Sequence, residues 1–262
     1  MNLEGKVAVV TGGAMGNGKG IVEVLTKYQA EVIILDKAKE LMDTVSDFTS
    51  KGFKVTGYQV DISNKKSIIA AFDEIRKKYS KIDILVNNAG ICKLESFDTM
   101  SDELRDLHFN INIKGTWDVT KIFLPMLRAS KKASIINLSS VTGELVADPG
   151  EVAYATTKAA LIGFTKALAR EEVENGIRVN AILPGYIETP MVKGMAKESN
   201  ASNPDSVIKG IADAIPMHRL GTITELGELA AFLASDLSSY ITGSSIVIDG
   251  GSTLPETVSM GV

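Results

Sequence analysis

The chain has 262 residues, of which 45% are hydrophobic and 23% charged, and its formal net charge of −4 is ordinary for one globular α/β domain. Its lysines and arginines are scattered and no apolar run reaches the ~18 residues of a membrane span, so we expect neither a nucleic-acid nor a membrane partner. The N-terminus is too short and too polar for a signal peptide, and the single Cys92 excludes an internal disulfide, so we expect a cytoplasmic protein.

Short apolar runs alternate with amphipathic segments along the whole chain. Runs that are apolar on both faces are typical of parallel strands covered by helices on both sides. The alternation predicts an α/β fold with a single doubly wound, Rossmann-type parallel sheet. The predicted strands are 6–10, 31–35, 54–60, 82–86, 134–138, 177–183 and 245–248, and the predicted helices are 16–28, 38–51, 64–79, 101–128, 152–175 and 224–235.

A glycine-rich turn at 11–18 leads from the first strand directly into the first helix. Glycines let backbone N–H groups approach a ligand closely, and a helix N-terminus favours an anion such as a pyrophosphate. Asp36 ends the second strand, where a carboxylate hydrogen-bonds the adenine ribose of NAD and repels the 2′-phosphate of NADP. The neighbouring Lys37 argues for NADP instead, because a basic residue there can pair with the 2′-phosphate. The pattern predicts a dinucleotide site that prefers NAD.

Tyr154 and Lys158 are four residues apart in a predicted helix, so their side chains lie on one face. A phenol in water titrates at about 10, and a neighbouring cation lowers its pKa. General acid–base catalysis works best when the pKa lies near the working pH, so the pair predicts a proton-transfer residue. The alternative is a tyrosine and a lysine that simply share a solvated helix face.

The stretch 188–222 has no strand pattern and contains Pro190, Pro204, Pro216 and several glycines. An irregular segment of this length inside a compact domain is usually a functional lid or a disordered loop. We therefore predict a single dinucleotide-binding domain over 1–262 with a substrate lid at about 188–222. Residues 190–215 should close over the nicotinamide end of the site.

These motifs together resemble the short-chain dehydrogenase/reductase family, in the form Thr11-Gly-x-x-x-Gly-x-Gly, Asn87-Asn-Ala-Gly, and Ser140 followed by Tyr154-x-x-x-Lys158. Within that family the chain is most similar to the UcpA-type oxidoreductases, with which it shares 83–90, 112–115, 146–151 and the tail 250–258. The resemblance implies an NAD(P)-dependent oxidoreductase that moves a hydride between NAD and a secondary alcohol, ketone or aldehyde. It also implies a homo-oligomer, either a homotetramer or a dimer.

The resemblance further implies roles for individual residues. Tyr154 is the acid/base toward the substrate oxygen, and Lys158 lowers the pKa of the phenol and holds the nicotinamide ribose. Ser140 steadies the substrate oxygen, and Asn112 holds a water that links Lys158 to a proton relay. The implied cofactor residues are Gly12, Met15, Gly16, Asn17, Gly18, Asp36, Asp61, Ile62, Asn88, Ala89, Gly90, Tyr154, Lys158, Pro184, Gly185, Ile187 and Thr189, and the implied substrate residues are Ser140, Tyr154, Cys92, Val146 and Tyr186.

Two departures from the family pattern and two other functions stay open. Asn17 replaces a residue that is commonly aliphatic, and the connection from Ser140 to Tyr154 is one residue longer than in many members. The same fold also fits an NAD(H)-binding redox-sensing regulator without turnover, and an NAD-using lyase or epimerase. We expect no metal site, since His108 and His218 have no partners at ligand spacing.

Overall fold

The computed structural model describes residues 1–254, with the backbone only at position 198, and contains one parallel sheet. The strand order is β3-β2-β1-β4-β5-β6-β7, and every neighbouring pair is parallel. The predicted α/β class with a doubly wound sheet is confirmed. The strands are β1 Val7–Thr11, β2 Glu31–Asp36, β3 Val55–Gln59, β4 Ile84–Asn87, β5 Ala133–Leu138, β6 Ile177–Pro184 and β7 Ser245–Ile248.

Helices cover both faces of the sheet because successive strand residues point to opposite sides. Val10 and Ile34 belong to a buried cluster with α1 and α9, whereas Val9 and Ile33 belong to a second cluster with α3 and α5. None of the helices in residues 1–254 is long and apolar enough to cross a membrane. The helices are α1 Gly16–Lys27, α2 Leu41–Ser50, α3 Lys65–Lys78, α4 Asp102–His108, α5 Thr116–Ser130, α6 Val152–Glu172, α7 Pro190–Ser199, α8 Pro204–Ala214 and α9 Ile223–Ala234.

The predicted helix 101–128 is interrupted in the structure. A π-helical segment, Phe109–Gly115, separates α4 from α5 and contains Asn112. The apolar period of a sequence does not reveal such an insertion, because the residues on either side keep a helical pattern. π-Helical turns occur frequently at functional sites, and this one lies close to the cleft described below.

The prediction of an irregular segment at 188–222 is wrong, since two helices, α7 and α8, occupy most of it. Pro190 and Pro204 are each the first residue of their helix, where a proline has no hydrogen bond to lose. Thr189 accepts a hydrogen bond from the N–H of Val192, and Asn203 caps α8 in the same way. Two of the three prolines that suggested interruption, Pro190 and Pro204, therefore begin helices.

Candidate active site

A cleft of about 1200 Å³ lies at the carboxyl ends of the strands and is lined by the ends of β1, β2, β4, β5 and β6. β1 and β4 are neighbours in the sheet, and the connections that follow them run toward opposite edges of the sheet. Open α/β sheets bind ligands at such a position. Most predicted site residues meet there although they are distant in sequence. Those that line the cleft are Gly12, Met15, Gly16, Asn17, Asp36, Asp61, Ile62, Asn88, Ala89, Gly90, Cys92, Ser140, Val146, Tyr154, Lys158, Pro184, Gly185, Tyr186, Ile187 and Thr189.

The glycine-rich turn forms a cradle with no side chain in the way. Gly12 has φ +66°, and a Cβ atom there would lie 2.9 Å from the Cα of Ala89. A Cβ at Gly18 would lie 2.0 Å from the carbonyl oxygen of Gly12, so Gly18 serves close packing beneath the cleft and does not line it. The first turn of α1 has no acidic residue and no side-chain cap, which leaves its N–H groups for an anion. These features fit a dinucleotide pyrophosphate.

Thr11 and Asn88 hold this cradle against the end of β4. The Thr11 hydroxyl oxygen accepts hydrogen bonds from the N–H groups of Asn88 and Ala89 at 3.0 and 3.1 Å. The Asn88 side-chain amide donates to the carbonyl oxygens of Thr11 and Gly12 at 3.0 and 2.9 Å. Sequence analysis overlooked Thr11 as a support, although it stands at the head of the motif.

Asp36 lies at the end of the cleft predicted for the adenine ribose. Its two carboxylate oxygens accept hydrogen bonds from the N–H groups of Ala14 and Ala38, both at 2.9 Å, which orients the carboxylate. Lys37 Nζ lies 3.9 Å from Asp61 Oδ2. Burial raises the pKa of Asp61, but hydrogen bonds from Ser63 and the Lys37 ammonium outweigh it and leave the pKa below its ordinary value. Two carboxylates and one ammonium therefore give this end a net charge of −1.

Tyr154, Lys158 and Ser140 come together at the other end of the cleft. Lys158 Nζ lies 5.6 Å from the centroid of the Tyr154 ring, as the four-residue spacing predicted, and donates to the carbonyl oxygen of Leu138 at 2.7 Å. Ser140 and Tyr154 both line the cleft, and the Ser140 hydroxyl acts to lower the pKa of the Tyr154 phenol. Ser139 instead donates to the carbonyl oxygen of Lys158 at 2.7 Å. Ser140, and not Ser139, is therefore the serine that faces the phenol.

The net pKa of the Tyr154 phenol lies above its ordinary value. Burial raises it most, the Ser140 hydroxyl opposes this, and the charges of Cys92 and Glu151 add to the rise. The lowering of this pKa by Lys158 stays a prediction. Burial also lowers the pKa of Lys158 to about 8. The ammonium faces the ring and the carbonyl of Leu138, and near pH 8 it gives up part of its own charge.

Asn112 lies beneath the cleft and holds its floor together. Its buried amide donates to the carbonyl oxygen of Ile91 and to Thr157 Oγ1, both at 3.0 Å, and its oxygen accepts from the N–H of Ile91 at 2.9 Å. These bonds fix the chain after the Asn87–Gly90 turn against α6. Both amide N–H groups are occupied by protein atoms, and the relay water assigned to Asn112 stays a prediction.

The substrate end of the cleft also contains residues that sequence analysis overlooked. Val207 and Ile211 of α8 line it, and their four-residue spacing was a signal of an apolar helix face. Asp148 and Glu151, on the loop before α6, line it as well. The implied substrate residues Cys92, Val146 and Tyr186 line this end of the cleft, and Met191 joins them, whereas the nearby apolar residues Leu94 and Leu145 do not line it.

The match to known proteins agrees with this geometry. A family model described as enoyl-(acyl carrier protein) reductase matches residues 12–253. The chain belongs to the short-chain dehydrogenase/reductase family, and it is an NAD(P)-dependent oxidoreductase.

Individual relatives confirm the resemblance to the UcpA-type oxidoreductases. Oxidoreductase UcpA of Escherichia coli (strain K12) is 52% identical over 260 residues, which is 99% of each chain. The shared tail 250–258 lies partly outside the described residues. L-sorbose reductase from Gluconobacter frateurii, complexed with NADPH and L-sorbose, is similar at TM-score 0.93 and 30% identity over 97% of this chain and 99% of that one. A gluconate 5-dehydrogenase from Burkholderia cenocepacia, complexed with NADP and tartrate, is similar at TM-score 0.88 and 29% identity over 97% of each chain.

Proposed function

We propose that this enzyme interconverts a secondary alcohol and its ketone, or an alcohol and an aldehyde, with Tyr154 as the acid/base. The observation that carries the proposal is the meeting of Ser140, Tyr154 and Lys158 in one cleft, with Lys158 Nζ 5.6 Å from the centroid of the Tyr154 ring. This trio lies in the same cleft as the glycine cradle. The bound nicotinamide supplies or accepts the hydride.

The side chains at the catalytic end each have a distinct task in this proposal. Tyr154 gives its proton to the substrate oxygen in reduction and takes it back in oxidation. Ser140 hydrogen-bonds the same oxygen and fixes its distance from the phenol. Lys158 stays where the carbonyl oxygen of Leu138 holds its ammonium, near the ring of Tyr154, and would hold the nicotinamide ribose of a bound cofactor. The buried setting excludes water, which strengthens each of these interactions.

Replacing Tyr154 by phenylalanine tests the role of the phenol. Tyr154→Phe should lower kcat by at least the ~10²–10⁴-fold typical of a lost acid–base group, because the variant has no phenolic proton to exchange with the substrate oxygen. Binding of NADH, measured by fluorescence, should be nearly unchanged. Tyr240→Phe removes an exposed phenol outside the cleft and serves as the matched control. If Tyr154→Phe kept more than a few per cent of activity, a different residue would be the acid/base.

Two other functions are separated from this one by simple assays. A redox-sensing regulator would bind NADH tightly and transfer hydride to no alcohol in a broad absorbance screen. A lyase or epimerase would form product with no net change in NADH. The presence of Ser140, Tyr154 and Lys158 in one cleft supports turnover, since a sensor has no need of a proton donor there.

We propose NAD as the preferred cofactor, and the charge around Asp36 supports this. The oriented carboxylate accepts a hydrogen bond from a ribose 2′-hydroxyl and repels a 2′-phosphate. Lys37 Nζ lies near the carboxylate of Asp61, and this negative charge weakens the attraction of Lys37 for a 2′-phosphate. The two solved relatives described above hold NADPH or NADP, so this proposal distinguishes the chain from them.

The proposed oligomer associates through the exposed face of α6. Ala160, Gly163 and Ala167 form a strip of small exposed residues there, and nothing lies within 4 Å of a Cβ atom placed at Gly163. Trp117 of α5 is 54% exposed, and the centroid of its ring lies 5.3 Å from that of the Phe164 ring in α6. Analytical ultracentrifugation should show a tetramer or dimer, which Gly163→Arg should dissociate. A monomeric native protein would contradict the proposal.

We further propose that residues 1–262 form one cytoplasmic domain with a lid at about 188–222. The single sheet supports one domain, and the free thiol of Cys92 supports a cytoplasmic location. Met191, Val207 and Ile211 support the lid, because α7 and α8 present them to the cleft. Cell fractionation tests the cytoplasmic location, and limited proteolysis tests the single domain. Two fragments that each stay folded would contradict a single domain.

A further inference from the structure

The catalytic end of the cleft carries an unbalanced negative charge. Among the described residues, its ionisable lining side chains are Cys92, Asp148, Glu151, Tyr154, Lys158 and Tyr186. The one cation in that set is Lys158, whose Nζ is already hydrogen-bonded to the carbonyl oxygen of Leu138. In the part of the chain that the structure describes, an anionic group on a substrate would therefore meet two carboxylates and no free cation at this end of the cleft.

Glu151 is the inner of the two carboxylates. It is the N-cap residue of α6, one helical turn before Tyr154, and is half-buried, whereas Asp148 is exposed at the rim. Its Oε2 accepts a hydrogen bond from the N–H of Asp148 at 3.1 Å. This bond holds the charge in place. The carboxylate raises the pKa of Cys92 and Tyr154, both of which line the same end of the cleft.

We propose that Glu151 determines substrate specificity by charge, so that the cleft accepts uncharged or cationic alcohols and rejects anionic ones such as sugar acids. Hydroxyl groups of a polyol donate to the free lone pairs of Glu151, while a substrate carboxylate is repelled by it. The inference rests on the proposed function for its substrates, although the charge of the cleft is measurable without turnover. Of the two substrate classes named among the solved relatives, the cleft should accept the uncharged ketose and reject the sugar acid.

Cys92 provides a direct probe, because it is the single cysteine of the chain and lines this end of the cleft. We would measure its reaction rates with the anionic sulfonatoethyl and cationic trimethylammonioethyl methanethiosulfonates at pH 8.5. Each rate is divided by the rate of the same reagent with free 2-mercaptoethanol. The cationic reagent should be favoured by about tenfold, as expected for one nearby unit charge at intermediate dielectric. A normalised ratio near one, or no reaction with either reagent, would overturn the proposal.

Glu151→Gln removes the charge but keeps an oxygen that accepts the N–H of Asp148. It should reduce the cationic preference at least threefold. A lower pKa of Cys92 in this variant would speed both reagents alike and leave their ratio unaffected. Glu144→Gln, an exposed position on the same loop that does not line the cleft, is the matched control. An equal change in both variants would overturn the assignment to Glu151.

Turnover tests the consequence for substrates. Pairs such as D-sorbitol and D-gluconate share a carbon chain and differ at one end in charge. Across such pairs the holoenzyme should show at least about tenfold lower kcat/KM for the anion, and Glu151→Gln should narrow the difference. An anion that turns over faster than its neutral counterpart would overturn the proposal. A labelling bias without turnover of any alcohol would instead contradict the proposed function and leave the charge inference standing.

Discussion

Cofactor choice should depend on the carboxylate of Asp36. Both of its oxygens are held by backbone N–H groups, so the charge cannot turn away from the ribose end of the cleft. Asp61 adds a second negative charge and Lys37 one positive charge, for a local net charge of −1. We therefore expect the native enzyme to bind NADH more tightly than NADPH, and the variant Asp36→Ala to lose most of that difference.

The magnitude follows from the charges. Two unit charges about 5 Å apart interact by about 1.7 kcal/mol at an effective dielectric of about 40. A 2′-phosphate with one to two charges would therefore lose ~1.7–3.3 kcal/mol against a net charge of −1. Salt screening reduces this value, so we expect a preference of at least about tenfold, or ~1.4 kcal/mol. Asp36→Ala should also weaken the binding of NADH, because the N–H groups of Ala14 and Ala38 lose their acceptor.

The assay is fluorescence titration of NADH and NADPH into native protein and variant at low and high salt. Asp36→Ala should bring the two dissociation constants within about threefold, which is within ~0.7 kcal/mol. Asp43→Ala removes an exposed carboxylate from α2, outside the cleft, and controls for the loss of net charge. Equal affinities of the native protein for both cofactors would refute the reasoning, and so would an equal shift in the control.

Other expectations concern protonation, the lid and the core. Burial lowers the pKa of Lys158 to about 8 from 10.5, so the unfolded chain binds more protons between these values and stability rises with pH there. In urea unfolding, the stability of Lys158→Met relative to native protein should therefore fall by roughly 1–3 kcal/mol between pH 7 and pH 10; a constant difference would contradict the buried charge. Hydrogen exchange of 190–214 should slow when NADH and a substrate analogue bind, and equal protection would exclude a lid. Arg128→Ala should cost ~1–3 kcal/mol because the fully buried Glu172 loses its ion-pair partner, whereas Lys51→Ala, at an exposed pair, should cost less than ~0.5 kcal/mol by the same measurement.

Prediction from the sequence was most accurate where a local pattern has a local cause. Buried parallel strands need runs of apolar residues, so the predicted strands agree with β1–β7 to within a residue or two at their ends. The glycine turn and the Tyr154–Lys158 spacing are also local, and the structure has both in the expected form. Prolines misled the analysis at Pro190 and Pro204, because whether a proline ends or begins a helix depends on its neighbours as caps.

The sequence by itself thus determined the fold class, the position of the glycine cradle and the spacing of the proposed proton-transfer pair. The tertiary structure alone decided which residues surround that pair. Glu151 and Cys92 are 59 positions apart, yet they line the same end of the cleft. Burial is likewise a property of the folded chain, and it raises the pKa of Tyr154, which the helix spacing had predicted to fall. A spacing rule describes one element, whereas desolvation and charge depend on every element packed around the group.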